Sequence, residues 1–331
     1  MKKFLFFLIS LILGVCLFLW TVNLVGWTEI KSAFLVFAGW QGLVIFSLTF
    51  LMMMVGTWKW KEILKEEGVN ISFWDLLKTY LAGFSVMFLA PVLLWVSELF
   101  RSYTLKKRKQ VPWSKAMASV IIDRILEWTT ILITIFLGSI FFLSNIGLPS
   151  KELGIAFGIV FFFFAIGVCL FYFKIFRKES IAKAFGKILN GEINQEPLET
   201  EKEIFNFFKL KKGGMWKGLA FSFLKVAIAC LRGWVLIVFL GKKISYLSAL
   251  SILGFTYLAA MIPIPTSLGS HEAIQSFAFN SLGLGISTAT AFTVIIRTAE
   301  LSIALLGLFF LFRFGTLFLK SFVFTKVKKL T

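Results

Sequence analysis

Histidine is all but missing: His271 is the only one in 331 residues, which excludes a site built from several histidine ligands. Cysteine is scarce as well. Cys16, Cys169 and Cys230 lie in apolar runs and share neither metal-ligand nor redox spacing, so they read as packing residues. Proline is rare, with six positions, and three of these (Pro91, Pro263, Pro265) interrupt apolar segments. Acidic residues number 17 against 35 Lys and Arg, a formal net charge of +18. Gly-x-Ser-x-Gly, a phosphate-binding glycine loop and His-Glu-x-x-His are all lacking, and no stretch reads as a soluble nucleotide-binding domain. The expectation is a protein with no catalytic residues, no metal and no cofactor.

What is present is apolar. Hydrophobic residues occupy 58% of the chain and the mean hydropathy is +0.87, well above the roughly 45–50% apolar usage of soluble domains. Runs long enough to cross a bilayer recur, and none alternates in the manner of a transmembrane barrel strand. The basic residues border these runs instead of forming one stripe, which argues against nucleic acid. They fit cytoplasmic retention of basic loops and attraction to anionic lipid. Met1-Lys-Lys followed by an apolar run to Trp20 resembles a signal peptide, but without a small-residue cleavage site it reads as an uncleaved first span.

The fold expected is an all-α polytopic membrane protein forming one domain over residues 1–331. About six full spans are predicted, near 4–22, 34–57, 115–143, 154–173, 218–240 and 286–312. Two further apolar segments, about 73–95 and 246–284, behave differently. Lys2 and Lys3 place the N-terminus in the cytoplasm, and Lys59, Lys61 and Lys65 place the loop after the second span there too. Arg101, Lys106, Lys107, Arg108 and Lys109 put the far end of 73–95 on the same side. That segment is therefore predicted to enter and leave from one face, with a break near Gly83 or Pro91. By the same reasoning 246–284, with Pro263, Pro265 and Gly269, dips in from the outside. Lys242 and Lys243 are the residues this topology accommodates least well. The C-terminus falls inside, beside Arg313, Lys320, Lys326, Lys328 and Lys329.

The linker 174–217 carries ten Lys or Arg against six Glu and is predicted to be cytoplasmic. Phe173–Leu189 suits an amphipathic helix on the membrane surface, and Asn190–Glu203 reads as a polar, mobile loop.

One polar signature occurs twice. Pro91, Glu98, Arg124 and Glu127 in the first half match Pro265, Glu272, Arg297 and Glu300 in the second. Proline and glutamate are seven positions apart in both copies, and the glutamate-to-arginine step is 26 and 25 positions. Upstream, Ser114, Ala116 and Ala118 match Ser287, Ala289 and Ala291. With the charge-derived topology, this makes an inverted-topology repeat (about 73–143 and 246–312) with two re-entrant helical hairpins, an arrangement used by transporters with a site between the repeats.

Arg124 and Arg297 each lie about 15 Å into their spans, near the midplane of a core about 30 Å thick. Central charges cost about 2.5–3.5 kcal/mol each on insertion scales, whereas an intrahelical i,i+3 pair returns only about 0.2–0.5 kcal/mol. Two readings stand: a polar translocation or binding cavity, or cross-bundle pairs (Arg124 with Glu300, Arg297 with Glu127) that tie the repeats together. Glu98 and Glu272 are candidates either for the cavity or for helix N-terminal carboxylates capped near Ser97 and Ser270. Arg101 is placed to pair with Glu98 or contact a phosphate. Asp123 has no counterpart in the second copy, and with Glu127 it could share one arginine. His271 reads as a locally bonded residue. Lys225 and Arg232, on one helix face, either neutralise an anionic headgroup or snorkel to the interfaces.

At these residues the chain resembles a flippase-like integral membrane family related to the transmembrane region of lysylphosphatidylglycerol synthases. The matching stretches are Ala90-Pro-Val-Leu-Leu-Trp-Val-Ser-Glu-Leu-Phe-Arg101, Ala118-Ser-Val-Ile-Ile-Asp-Arg124 and Ile262-Pro-Ile-Pro-Thr-Ser-Leu-Gly-Ser-His-Glu272. The resemblance covers roughly 4–315 and implies an inner-membrane protein that handles phospholipids or polyisoprenyl-linked lipids. Glu98, Arg101, Arg124 and Glu272 match the family's polar positions. The glycine-rich turn expected before the first glutamate reads Leu94-Trp95-Val96-Ser97 here, and the synthase or glycosyltransferase domain of some relatives is missing. The function expected is lipid translocation, with membrane lipids of anionic or zwitterionic headgroup as partners. The alternatives are a headgroup transferase, or a non-transporting partner of a separately encoded lipid-modifying enzyme.

Overall fold

The computed structural model describes residues 39–89, 95–146, 151–177, 195–208, 213–261 and 270–327. Within them the chain is all-helical, with ten helices and no strand. In chain order these are α1 (Trp40–Glu66), α2 (Phe73–Leu89), α3 (Val96–Lys109), α4 (Trp113–Ile146), α5 (Lys151–Arg177), α6 (Gln195–Phe207), α7 (Gly214–Phe239), α8 (Tyr246–Met261), α9 (Ser270–Ser281) and α10 (Ile286–Val327). Four of them contain spans long and apolar enough to cross a membrane: Trp40–Glu66, Trp113–Ser144, Gly214–Phe239 and Ile286–Phe314. The 27 residues of α1 reach about 40 Å, more than the hydrocarbon thickness. The outward faces carry Phe136, Ile140, Phe162, Phe163, Leu305 and Phe309, all exposed, as helices solvated by lipid require. The expected span 4–22 lies outside the described residues.

Three expectations need correction. Lys59 and Lys61 are not loop residues. The apolar stripe of α1 continues past Gly56 through the buried Trp60, Ile63 and Leu64, so the helix runs on and carries Lys59 into the interior, 1% exposed. Gly83 is not a break. The helix α2 passes straight through it, and its missing Cβ makes room for the Arg101 stem, whose Cγ would lie 2.8 Å from such an atom. Pro91 falls outside the described residues. Gln195–Glu203 is not a loop. Pro197 sits in the first turn of α6, where its absent N–H costs nothing, and Thr200, Ile204 and Phe207 form a buried stripe against α4. The amphipathic helix expected over Phe173–Leu189 lies mostly outside the described residues, although α5 extends to Arg177.

Both unusual apolar segments contain two helices among the described residues: α2 and α3 lie on either side of the undescribed gap 90–94, and α8 and α9 on either side of the undescribed gap 262–269. Pro263, Pro265 and Gly269 lie in that second gap, outside the described residues. In each case the two helices pack on each other, and the second also packs on the long helix that follows. The first helices exchange partners: α2 lies along α10, and α8 lies along α4. Glycine permits both crossings. A Cβ on Gly307 would sit 2.0 Å from the Leu81 carbonyl oxygen, and one on Gly138 would sit 2.9 Å from that of Leu250. Close approach through small residues is how helices pack where lipid removes the hydrophobic drive. The main core draws on most of these helices, with Trp60, Leu64, Leu76, Leu81, Leu105, Val120, Cys230, Leu253 and Ile303 in one cluster.

Candidate functional site

The charged side chains of the first half collect where α1, α3, α4 and α7 meet, in two adjoining centres. Neighbouring residues of α4 divide them: Asp123 faces one and Arg124 the other.

Asp123 is closed off from solvent. Its carboxylate forms an ion pair with Lys59, with Nζ 2.8 Å from Oδ1, and accepts from Arg101, with Nη1 2.9 Å from Oδ2. Lys59 also donates to the Asp123 backbone carbonyl at 3.1 Å. The Arg101 guanidinium lies between two rings, its carbon 4.1 Å from the Trp60 centroid and 4.7 Å from that of Tyr80, which disperses its charge by cation–π contact. Trp60 is held in turn by donating Nε1–H to Ser119 Oγ at 3.1 Å. Exposure of Lys59 and Asp123 is 1% each. Arg101 thus pairs with Asp123, not with Glu98, and Asp123 does not share Arg124 with Glu127. The basis for a protonatable carboxylate pair is removed.

Arg124 heads the second, more open centre. Its Nε pairs with Glu98 Oε1 and its Nη1 donates to Glu127 Oε2 at 3.1 Å. The other Glu127 oxygen pairs with Lys225 of α7. Glu98 lies in the first turn of α3, whose N-cap is Trp95 with no side-chain cap bond, so Ser97 is not the cap. The side chain of Arg124 is 20% exposed, and among the described residues its Nη2 donates to the Met87 thioether, at 3.2 Å. Sulfur is a weak acceptor. The half-exposed Trp95, edge-on to Trp128 with centroids 5.9 Å apart, lies close by.

Across both centres, four cations (Lys59, Arg101, Arg124, Lys225) face three carboxylates (Glu98, Asp123, Glu127) among the described residues. The cluster carries one excess positive charge.

The second copy is sparser. Arg232 of α7 donates to Glu300 Oε1 at 3.2 Å and to Thr49 Oγ1 at 3.1 Å. Lys225 and Arg232 therefore each supply a cation to one Arg-x-x-Glu motif and do not snorkel to the interfaces. Glu300 is met by Arg232, and Arg124 by Glu98 and Glu127, so the Arg124–Glu300 pair is not formed. Arg297 is half-buried on α10. Glu272 falls in the first turn of α9, and its side chain, like that of His271, lies outside the described residues. The repeat offset carries Arg101 onto Gln275 and Asp123 onto Ile296, so the buried pair of the first half has neutral counterparts. Gln275 instead donates to Thr256. Among the described residues no group of His, Cys, Asp and Glu side chains is arranged to hold a metal ion.

A family model described as the lysylphosphatidylglycerol synthase TM region matches residues 7–312. The chain belongs to that family. It is a multi-pass membrane protein, and curated relatives from three archaea share most of its length. One described as a UPF0104 membrane protein, from Methanocaldococcus jannaschii, is 25% identical over 271 residues, covering 77% of this chain and 79% of the relative. A second, from Pyrococcus horikoshii, is 25% identical over 326 residues, covering 90% and 92%. A third, from Methanothermobacter thermautotrophicus, is 23% identical over 313 residues, covering 87% and 89%. No solved structure matches the chain significantly. Within this family member, Lys59 and Tyr80 are the site residues that sequence reasoning missed. A lysine enclosed by Trp58 and Trp60 in a continuing apolar stripe was the available signal.

Proposed function

We propose that the protein is a lipid translocase of the cytoplasmic membrane, with both termini cytoplasmic, that passes a phosphate-bearing headgroup past Arg124 while the acyl chains stay in the bilayer. The observation that carries this reading is the half-buried Arg124 guanidinium. It belongs to a cluster with one excess positive charge and turns one donor edge to a thioether. A phosphate oxygen is a far stronger acceptor, and guanidinium binds it in a fixed fork geometry. Glu98, Glu127 and Lys225 hold Arg124 in place and supply exchangeable partners during passage. Arg297, Arg232, Glu300 and Glu272 form the corresponding station in the other half. The fully enclosed Lys59–Asp123–Arg101 group fastens α1 and α3 to α4 and serves as scaffold.

The partner exchange of α2 and α8 supports an inverted repeat of two re-entrant hairpins. The repeat offset carries Gly307 onto Thr134 and Leu81 onto Phe255. This lies within one residue of the contact in which Gly254 would bring a Cβ 3.4 Å from the Thr134 carbonyl oxygen. Two unrelated crossings would not be expected to share that register.

The test is reconstitution into liposomes carrying headgroup-labelled anionic or zwitterionic phospholipid. Wild-type protein is expected to equilibrate label between leaflets faster than protein-free vesicles. No flux with either lipid would sink the reading and favour a non-transporting partner of a lipid-modifying enzyme.

A further inference from the structure

Away from the charge cluster, Glu66, Glu67 and Gly68 at the end of α1, Lys115 at the start of α4, and Glu203 and Phe207 of α6 line a cavity of about 320 Å³. That volume is at the lower end of small-molecule sites, which run from about 300 to 1,000 Å³. Three acidic residues and one lysine line it among the described residues, and the lysine is already engaged by backbone: Lys115 Nζ donates to the Glu67 carbonyl at 2.7 Å. Glu67 lines the cavity at only 8% exposure, and neither of its carboxyl oxygens has a hydrogen-bond partner among the described residues. Leaving a buried carboxyl unmatched costs about 1–3 kcal/mol or more, so its persistence points to an external partner. The backbone supports this geometry. Gly68 takes φ +78° to turn the chain out of α1, and Gly214 leaves space for the Glu66 stem, whose Cγ would be 2.6 Å from a Cβ there.

We propose that this cavity binds a small organic cation, an ammonium or guanidinium group on a short aliphatic stem, with the Glu67 carboxylate as its principal acceptor. Glu66 and Glu203 supply the surrounding negative field, and Phe207 offers a ring for the stem or the cation. A bare metal ion fits less well. The three carboxyls do not converge on one point among the described residues, and the space exceeds what an ion fills. Burial first, and the Glu203 carboxylate second, push Glu67 up to about 9, against a smaller opposing effect of Lys115. The unliganded site therefore holds a proton at neutral pH, and an entering cation ionises Glu67 and releases that proton. This site shares no residue with the path proposed for lipid, so the two proposals stand or fall separately.

The experiment is thermal unfolding of the full chain in detergent micelles, titrated with 1,4-diaminobutane and, separately, with NaCl and MgCl2 at matched ionic strength. Diaminobutane is expected to stabilise saturably beyond the salt controls. Glu67→Gln keeps the shape of the neutral acid, and is expected to weaken that effect by more than about tenfold, the worth of one charged hydrogen bond. Glu203→Gln is expected to weaken it less, which guards against misreading a single poorly folded variant. Stabilisation no greater than with NaCl, equal stabilisation of Glu67→Gln, or saturable stabilisation by MgCl2 alone would each overturn the proposal.

Discussion

Glu98 and Arg124, 26 residues apart in the chain, form an ion pair across the α3–α4 junction. Arg124 is thus ion-paired by Glu98 and Glu127, and α7 reaches both Arg-x-x-Glu motifs, through Lys225 to Glu127 and Arg232 to Glu300. A cation from one helix serves each Arg-x-x-Glu motif. The Arg124–Glu300 pair is absent, and α7 takes its place at both motifs.

Asp123 should be required for folding and not for headgroup contact. Asp123→Ala leaves Lys59 and Arg101 buried without a counter-charge, and should destabilise by about 3–5 kcal/mol. Adding Lys59→Met to this variant should restore part of the loss. Denaturant unfolding in micelles measures both, and full recovery or no loss at all would contradict the scaffold role.

Gly307 is placed to decide the α2–α10 crossing. Its Cβ would meet the Leu81 carbonyl oxygen at 2.0 Å and Ser85 Oγ at 2.2 Å, so Gly307→Ala should cost about 1–3 kcal/mol through forced displacement. Gly158 of α5 has nothing within 4 Å of such an atom. Gly158→Ala should be neutral or stabilising by about 0.5–1 kcal/mol, the helix-propensity gain. Melting temperatures of the two variants give the comparison.

Lys225 should couple to Glu127. Removing either charge alone leaves its partner incompletely matched, and removing both should cost less than the sum of the single losses. A double-mutant cycle on Lys225→Met and Glu127→Gln is expected to give a coupling of about 0.5–3 kcal/mol. Strict additivity would mean that the pair is not formed in the membrane.

Glu67 gives a pH dependence of defined sign. Its value in the fold, about 9, lies above the ordinary 4.5 because burial and then Glu203 disfavour the charged form. The folded chain therefore binds this proton more tightly than the unfolded one. The associated stability is complete below about pH 4.5 and is lost as pH rises towards about 9. Glu67→Gln should remove that component, so its melting temperature relative to wild type should climb between pH 5.5 and pH 8.5. A constant difference would contradict it.

The helical membrane character, the paired signature and most of its charged members were legible in the sequence, because ionised groups in long apolar runs are costly enough to stand out singly. The breaks that proline and the charge balance suggest at Pro91, Pro263 and Pro265 fall outside the described residues. What could not be read was direction around a helix. Lys59 looked like a loop charge because positive-inside counting assigns every lysine near an apolar run to water, whereas the stripe of Trp60, Ile63 and Leu64 turns it inward. Asp123, conspicuous for lacking a repeat counterpart, finds its partner in that lysine. The helix α6 was hidden by its acidic surface, although Thr200, Ile204 and Phe207 kept helical spacing beneath it.

The role given to Arg124 is tested by leaflet exchange of headgroup-labelled phospholipid in liposomes bearing wild type, Arg124→Gln, or Arg124→Gln with Glu98→Gln. The double variant removes one charge of each sign and should melt close to wild type. Both variants should lose at least about tenfold in exchange rate, as expected when a charged headgroup contact worth about 1.5–3 kcal/mol disappears. Exchange at the wild-type rate in the well-folded double variant would contradict passage of the headgroup past Arg124.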